Sequence, residues 1–397
     1  MGNSKRGVAD RFVNVLWVSP YSVFGGPHNA ILQVAEPLKA RGWESLVLLP
    51  TDPGNAAERL QVGGVETVQL PFHHLQASVD PRVHLSMASA FRSEVARIAG
   101  LISERRVDLV VLTGVDLQAA VAARRTGTAI VWQVLASRPP RPVRAAWMTL
   151  IRRWADSTMF SGHAIERMYV GRRPLKIQSY QWIPPADPNR FQPSETVGAA
   201  TRARLGVPRD APFVGSVANL VPMKGIEFFV RGAAIIHRHR PDSWFLIAGS
   251  SYPEHEGYPA RLRDEIKKSG VPRERFVWVD ELPDALYPAL DLMVIASLPR
   301  SEGTTTTAVE AMTCETPVIA TNVAALHEVV IDGLTGVIVP PCDADAIAEA
   351  TLSLLGDPGR MRELGVQGRR RMIERNTPGL CADAHIQAFE AALSHHS

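Results

Sequence analysis

Short, almost wholly apolar runs recur along this chain between helix-length amphipathic segments, and the alternation happens twice. In the first half, 13-VNVLWVSP-20, 45-SLVLLP-50, 107-VDLVVLTG-114 and 128-TAIVWQV-134 are separated by 27-PHNAILQVAEPLKARG-42, 90-AFRSEVARIAGLISERR-106 and 116-DLQAAVAARRTG-127. In the second half, 213-FVGSVAN-219, 243-SWFLIAGS-250, 275-RFVWV-279, 291-DLMVIAS-297 and 317-PVIAT-321 alternate with segments such as 225-GIEFFVRGAAIIHRHR-240 and 344-ADAIAEATLSLL-355. A strand apolar on both faces must be covered on both faces, so the pattern predicts parallel sheets between helical layers. The fold class is therefore α/β, with two doubly wound domains.

The segment between about 184 and 213 is rich in proline and turn formers, with room for one short helix, and marks the place to divide the chain. We expect a first domain over residues 1–190, a linker over 191–212, and a second domain over 213–378. The last helical segment, 379–397, can pack on either. With 397 residues there is enough chain for two cores. Two such domains create a cleft, and open α/β sheets bind ligands outside the carboxyl ends of their strands.

Composition narrows the partners. The formal net charge is only +3, so no nucleic-acid footprint is demanded. Cys314, Cys342 and Cys381 lie far apart, as expected of buried thiols in a reducing compartment. No window offers the roughly 18 apolar residues of a spanning helix, and no secretory or myristoylation pattern opens the chain. These features predict a cytoplasmic protein that touches a membrane only peripherally. The basic, aromatic stretch 138–154 either makes such contact or covers the first sheet, and its prolines argue against one continuous helix.

Three strand-to-helix junctions carry candidate chemistry. Gly25 and Gly26 fall between a strand and a helix, where glycine lets backbone approach a ligand and free helix-start amides favour an anion. The spacing is neither GxGxxG nor a P-loop. Lys224, beside Gly225, repeats the arrangement in the second half, where its ammonium can reach a phosphate or simply sit on a surface turn. The third junction, 301-SEGTTTTAVEAM-312, places Glu302 in a loop and Glu310 in the first turns of a helix. The amides of Gly303, Thr304, Thr305 and Thr306 lie between them. Carboxylates accept hydrogen bonds from vicinal hydroxyls, and helix-start amides receive negative charge, so a polyhydroxylated anion would use both. Solvated loop and helix-start acids remain the alternative. His73 and His74 lack a metal spacing, 237-HRH-239 reads as solvated, and His163 can cap a helix or orient a ligand. No metal site is expected.

Together, 25-GGPHNAILQVAEPLKARGWE-44, 217-VANLVPMKG-225, 286-LYPALDLMVIAS-297, 301-SEGTTTTAVEAMTCETPVIAT-321 and 328-EVVIDGLTGVIVP-340 resemble the family 4 retaining glycosyltransferases of the GT-B fold. The resemblance implies two Rossmann-like domains facing a central cleft and an enzyme that transfers sugar from a UDP- or GDP-linked donor, without a further cofactor. The acceptor would be a small molecule, glycan or lipid-linked hydroxyl compound. It further implies that Gly25 and Gly26 approach the donor phosphate and that Lys224 binds the pyrophosphate. Glu302 would contact the donor sugar and Glu310 the ribose, with Lys224 and Glu302 as the catalytic pair. Asn219 stands where the family carries a phosphate-binding arginine. Gln133, Ser137 or Arg138 stands near the place of a sugar-binding histidine. Glu315, Ala324, Ala325 and His327 replace the family's Gly, Gly, Gly and Pro. A GT-B protein that binds nucleotide sugar without catalysis, or a nucleotide-sugar epimerase, are the other classes compatible with these residues.

Overall fold

The computed structural model describes residues 12–73, 81–135, 139–251, 255–280, 284–301 and 303–396. The first sheet is built from β1 (Val13–Val18), β2 (Trp43–Pro50), β3 (Glu66–Leu70), β4 (Leu109–Leu112), β5 (Ala129–Val134), β6 (Ser157–Phe160) and β7 (Gln178–Gln181). Its strands lie in the order β3-β2-β1-β4-β5-β6-β7, all parallel. Helices α1 (Gly26–Lys39), α2 (Ala56–Val62), α3 (Pro81–Glu104), α4 (Leu117–Thr126), α5 (Arg141–Trp154) and α6 (His163–Val170) connect them. The strands β1, β2, β4 and β5 match the apolar runs. β3 and β7 are the edge strands, ETVQL and QSYQ; only Val68 and Leu70 of β3 and Tyr180 of β7 pack on the core, too few apolar residues to stand out as runs.

The second sheet holds β8 (Phe213–Val217), β9 (Trp244–Ala248), β10 (Phe276–Val279), β11 (Leu292–Ile295), β12 (Val318–Thr321) and β13 (Gly336–Val339), in the order β10-β9-β8-β11-β12-β13. Around it lie α7 (Glu195–Leu205), α8 (Ile226–His239), α9 (Gly257–Lys268), α10 (Thr306–Thr313), α11 (Leu326–Val329), α12 (Ala344–Leu355) and α13 (Pro358–Arg375). Residues 284–289 form a 3-10 turn, with Pro288 inside it. α7 begins at Ser194, whose hydroxyl accepts from the Val197 amide. It is seated on that turn: a Cβ on Gly198 would lie 2.4 Å from the Pro288 carbonyl oxygen. The Arg202 guanidinium donates to the carbonyls of Ala289 and Ala211 and to Asp291, so this part of the Pro-rich segment packs with the second sheet.

Within the basic stretch after β5 the prolines Pro139 and Pro140 stay outside the helix, as the sequence reading expects, and residues from Arg141 on form α5. Its Pro142 falls in the first turn, where a missing amide hydrogen costs no intrahelical bond. Trp147, Met148 and Ile151 are buried in the first domain's core, and Trp147 packs edge-on to Tyr169 at 5.5 Å. The aromatic part of this stretch covers the sheet.

The final helix, α14 (Pro378–His396), crosses back to the first sheet. Phe389 lies 5.7 Å from Trp17 and 5.3 Å from Trp43 between ring centroids, and Ser157 donates to the Ala388 carbonyl. Truncating a fully buried aromatic leaves a cavity, so Phe389→Ala should lower stability by about 3–5 kcal/mol, measured by chemical denaturation.

Candidate functional site

In each sheet the chain returns to the centre and departs to the other side: between β1 and β4 in the first, between β8 and β11 in the second. Such switch points open a crevice at the carboxyl ends of the strands. The loops from these crevices meet across the interdomain cleft.

The loop after β1 is held by His28 in the first turn of α1. Its Nδ1 accepts from the Gly25 amide at 3.2 Å, which leaves Nε2–H to donate to Ser19 Oγ at 2.9 Å. Burial pushes the ring's pKa down to about 4, partly offset by the Tyr21 carbonyl, so the neutral tautomer persists. Gly25 is extended and Gly26 opens α1. A Cβ on Gly26 would sit 3.5 Å from Thr306 Oγ1, ordinary contact distance, so the start of α1 lies against the start of α10.

Gly303 makes the tighter crossing. A Cβ there would lie 1.8 Å from Ser161 Oγ and 2.3 Å from the Leu135 carbonyl, so the threonine loop reaches the first domain only as glycine. Thr304 Oγ1 is buried without a partner. Thr305 occupies the N-cap position of α10, but its hydroxyl pairs with Thr307 at 3.1 Å and does not cap the helix. Glu302 lies outside the described residues.

Glu310 is buried on α10 and accepts from Asn29 Nδ2 of α1 at 2.8 Å and from the Tyr287 hydroxyl at 2.5 Å. Burial raises its pKa, against the hydrogen bond from Tyr287 and the charge of Arg190. It is not an exposed helix-start acid. The structure joins it to the other domain through Asn29 and to its own through Tyr287, two partners the sequence reading missed. Asn29 lies four residues beyond Gly25, one helical turn on, and that spacing could have found it; Tyr287 lies in the segment 286–297 quoted for the resemblance, but nothing there pairs it with Glu310.

Lys224 is half-buried and closes a 3-10 turn, Pro222–Lys224, directly after β8. Gly225 has φ +61°, and a Cβ on it would lie 2.2 Å from the Ala296 carbonyl, so both conformation and space require glycine. The Leu298 amide donates to the Met223 carbonyl, tying this turn to the segment that leads into the threonine loop. Asn219 precedes the same turn, its carbonyl accepting from the Val221 amide. Lys224, Asn219 and the start of α10 thus share the second crevice, and Gly25, Gly26 and Asn29 face it. Gln133, by contrast, is buried under the first sheet and pairs with His385 of α14. Ser137 and Arg138 lie outside the described residues.

A second interdomain contact involves Glu328. Its carboxylate accepts from the amides of His163 at 2.8 Å and Ala164 at 2.6 Å, capping α6 from the opposite domain. Gly162 beside it, at φ +97°, leaves no room for a Cβ, which would meet Ala325 at 2.3 Å. Ala325 therefore belongs to the domain contact, and His163 is itself capped.

Two facing Rossmann-like domains define a GT-B architecture. Residues 199–374 match the family model for glycosyl transferases group 1. The chain is 33% identical over 198 residues to the GDP-mannose-dependent alpha-(1-6)-phosphatidylinositol monomannoside mannosyltransferase of Mycolicibacterium smegmatis, covering 48% of this chain and 51% of that protein. It is also 33% identical over 190 residues to the lipopolysaccharide core biosynthesis mannosyltransferase LpsB of Rhizobium meliloti, covering 47% and 53%. The chain thus spans about half the length of these curated relatives. Among solved structures, Anabaena Alr3699/HepE in complex with UDP-glucose superposes with a TM-score of 0.81 at 19% identity over 95% of this chain and 99% of that one. Sucrose-phosphate synthase from Thermosynechococcus elongatus gives 0.74 at 22% identity, over 96% and 99%.

Two outcomes follow from these contacts. The unfolded state protonates His28 near pH 6.5 and the folded state only near 4, so its contribution is present above pH 6.5 and is lost as pH falls toward 4. His28→Gln should flatten the stability profile in that window, measured by urea melts across pH. Glu328→Ala strands two helix-start amides and should cost about 1–2 kcal/mol.

Proposed function

We propose that this chain is a glycosyltransferase that moves a sugar from a nucleoside diphosphate sugar to a hydroxyl-bearing acceptor with retention of configuration. The observation that carries the reading is the meeting of two helix starts, α1 at Gly26 and α10 at Thr306, beside the Lys224 turn. In this reading the amide hydrogens of the two helix starts and the Lys224 ammonium would meet a diphosphate. The match of residues 199–374 to glycosyl transferases group 1 supports it.

In this reading the sugar–phosphate bond breaks with its electron pair passing to the diphosphate. The acceptor oxygen bonds to the sugar carbon, and its proton goes to a departing phosphate oxygen. Lys224 and the α10 amides lower the barrier because they meet charge that grows only as the bond breaks. Gly25 and Gly26 let the loop after β1 approach the diphosphate. Glu310 receives the ribose hydroxyls in exchange for Asn29, and Glu302 contacts the donor sugar by its place in the motif. Asn219 supplies a hydrogen-bonding amide where the family carries a charge. UDP and GDP are the bases to test first, since a structural neighbour holds UDP-glucose and a relative depends on GDP-mannose.

Incubation of the protein with UDP-glucose or GDP-mannose and a panel of polyol and lipid acceptors should release diphosphate and yield a glycosylated product with retained anomeric configuration. Lys224→Ala should reduce kcat about 10²–10³-fold. Binding of the nucleotide without any diphosphate release would mark a binding protein, and release unaffected by Lys224→Ala would refute the site.

A further inference from the structure

The outward side of α5 and α6 carries charge that the donor site does not use. Residues 139–176 hold eight arginines and lysines against two acids, six charges to the positive, while the whole chain is only three positive. The rest of the molecule is therefore net negative, and the excess of cations is local.

Packing joins these cations into one surface. Trp147 of α5 meets Tyr169 of α6 edge-on, and the Arg144 guanidinium lies 5.8 Å from the centre of the same ring. The Arg152 guanidinium donates to the carbonyls of Val170 at 3.0 Å and Arg173 at 2.8 Å, which ties the last turn of α5 to the loop after α6. That tie gathers Arg152, Arg153, Arg172 and Arg173 at one end of the surface. The two acids of the stretch are engaged elsewhere: Glu166 accepts from the Ser179 hydroxyl and the Gln181 amide, and Asp156 is buried and accepts from the Ile130 amide. Arg141, Arg153, Arg167, Arg172, Arg173 and Lys176 are exposed, and among the described residues none of the six forms an ion pair. Like charges set side by side repel, so the surface is complementary to an extended anion.

What lies between the cations selects the anion. Val143 is 46% exposed and Met168 37%, and Ala145 and Ala146 are exposed beside them. The aromatic side chains Trp147, Trp154 and Tyr169 pack on the core instead. Single-stranded nucleic acid is held by bases stacked on presented aromatic rings, which this face lacks. Apolar side chains among exposed cations match a lipid interface, where the cations meet phosphates and the apolar groups reach the acyl boundary. The place fits as well: α5 and α6 start at the carboxyl ends of β5 and β6, and α6 starts at the interdomain seam, under Glu328. A lipid surface on this face lies alongside the mouth of the cleft.

We propose that the α5–α6 face docks the protein on an anionic lipid surface. The inference goes beyond the glycosyl-transfer reading and does not depend on it.

Flotation of the protein with vesicles, without donor or acceptor, tests this. Vesicles of phosphatidylcholine with about one-third phosphatidylglycerol should carry the protein, and pure phosphatidylcholine vesicles should not. Raising the salt to about 0.5 M NaCl should release it, because exposed charges are screened. Arg153→Gln, Arg172→Gln and Arg173→Gln combined should weaken the partition about a hundredfold, the effect of three cations removed from an anionic surface. Arg141→Gln, Arg167→Gln and Lys176→Gln combined should do the same. The equal loss of charge at Arg261, Lys267 and Lys268 of α9 should leave the partition close to the wild-type value. All three variants should melt with the wild type, since the substituted side chains are exposed. No binding to anionic vesicles, binding that neutral vesicles share, or an equal loss in the α9 variant would overturn the proposal. So would tighter binding to a duplex oligonucleotide that the same two variants abolish. Absence of transfer with every donor would refute the glycosyl-transfer reading and leave the vesicle result standing.

Discussion

The carboxylate of Glu310 is the point on which the two halves of the molecule depend. It is buried, so it must be hydrogen-bonded, and its partners come from both domains: Tyr287 from its own and Asn29 from the other. Removing either would leave a buried acceptor short of a donor. The demand of one desolvated group therefore brings α1 and α10 together, and with them the Gly26 and Thr306 ends whose free amides make the cleft suited to an anion.

Around that contact, glycine sets how near the domains can come. Gly303 lies where any side chain would strike Ser161, and Gly162 where it would strike Ala325. Glu328 then caps α6 across the same seam. Polar groups thus tie the domains at both of these places, and a polar seam of this kind is compatible with opening, unlike a continuous apolar interface. α14 works differently. It fixes the end of the chain to the first sheet through Phe389, Trp17 and Trp43, an apolar tie that a ligand has no means of exchanging.

The central strands were legible because burial on both faces leaves an apolar signature, as in β1, β4, β8 and β11. The edges were not: β3 and β7 carry few apolar residues, and β6 buries Ser157 and Thr158, whose place in the sheet depends on neighbours distant in sequence. α13 escaped because its arginine-rich face dominates its composition. The junctions at Gly25, Lys224 and Thr306 were legible because loop-to-helix chemistry is local. The pairing of Glu310 with Asn29 and Tyr287 was not, since it joins residues distant in the chain.

The sequence by itself determined the two parallel α/β sheets and the strand-to-helix junctions at Gly26 and Thr306, because apolar periodicity and turn chemistry act over a few residues. Only the tertiary structure decided which acid is a surface charge and which a buried link. That outcome depends on desolvation, and desolvation depends on what packs above. It turned Glu310 from an apparent helix-start charge into the bond between domains.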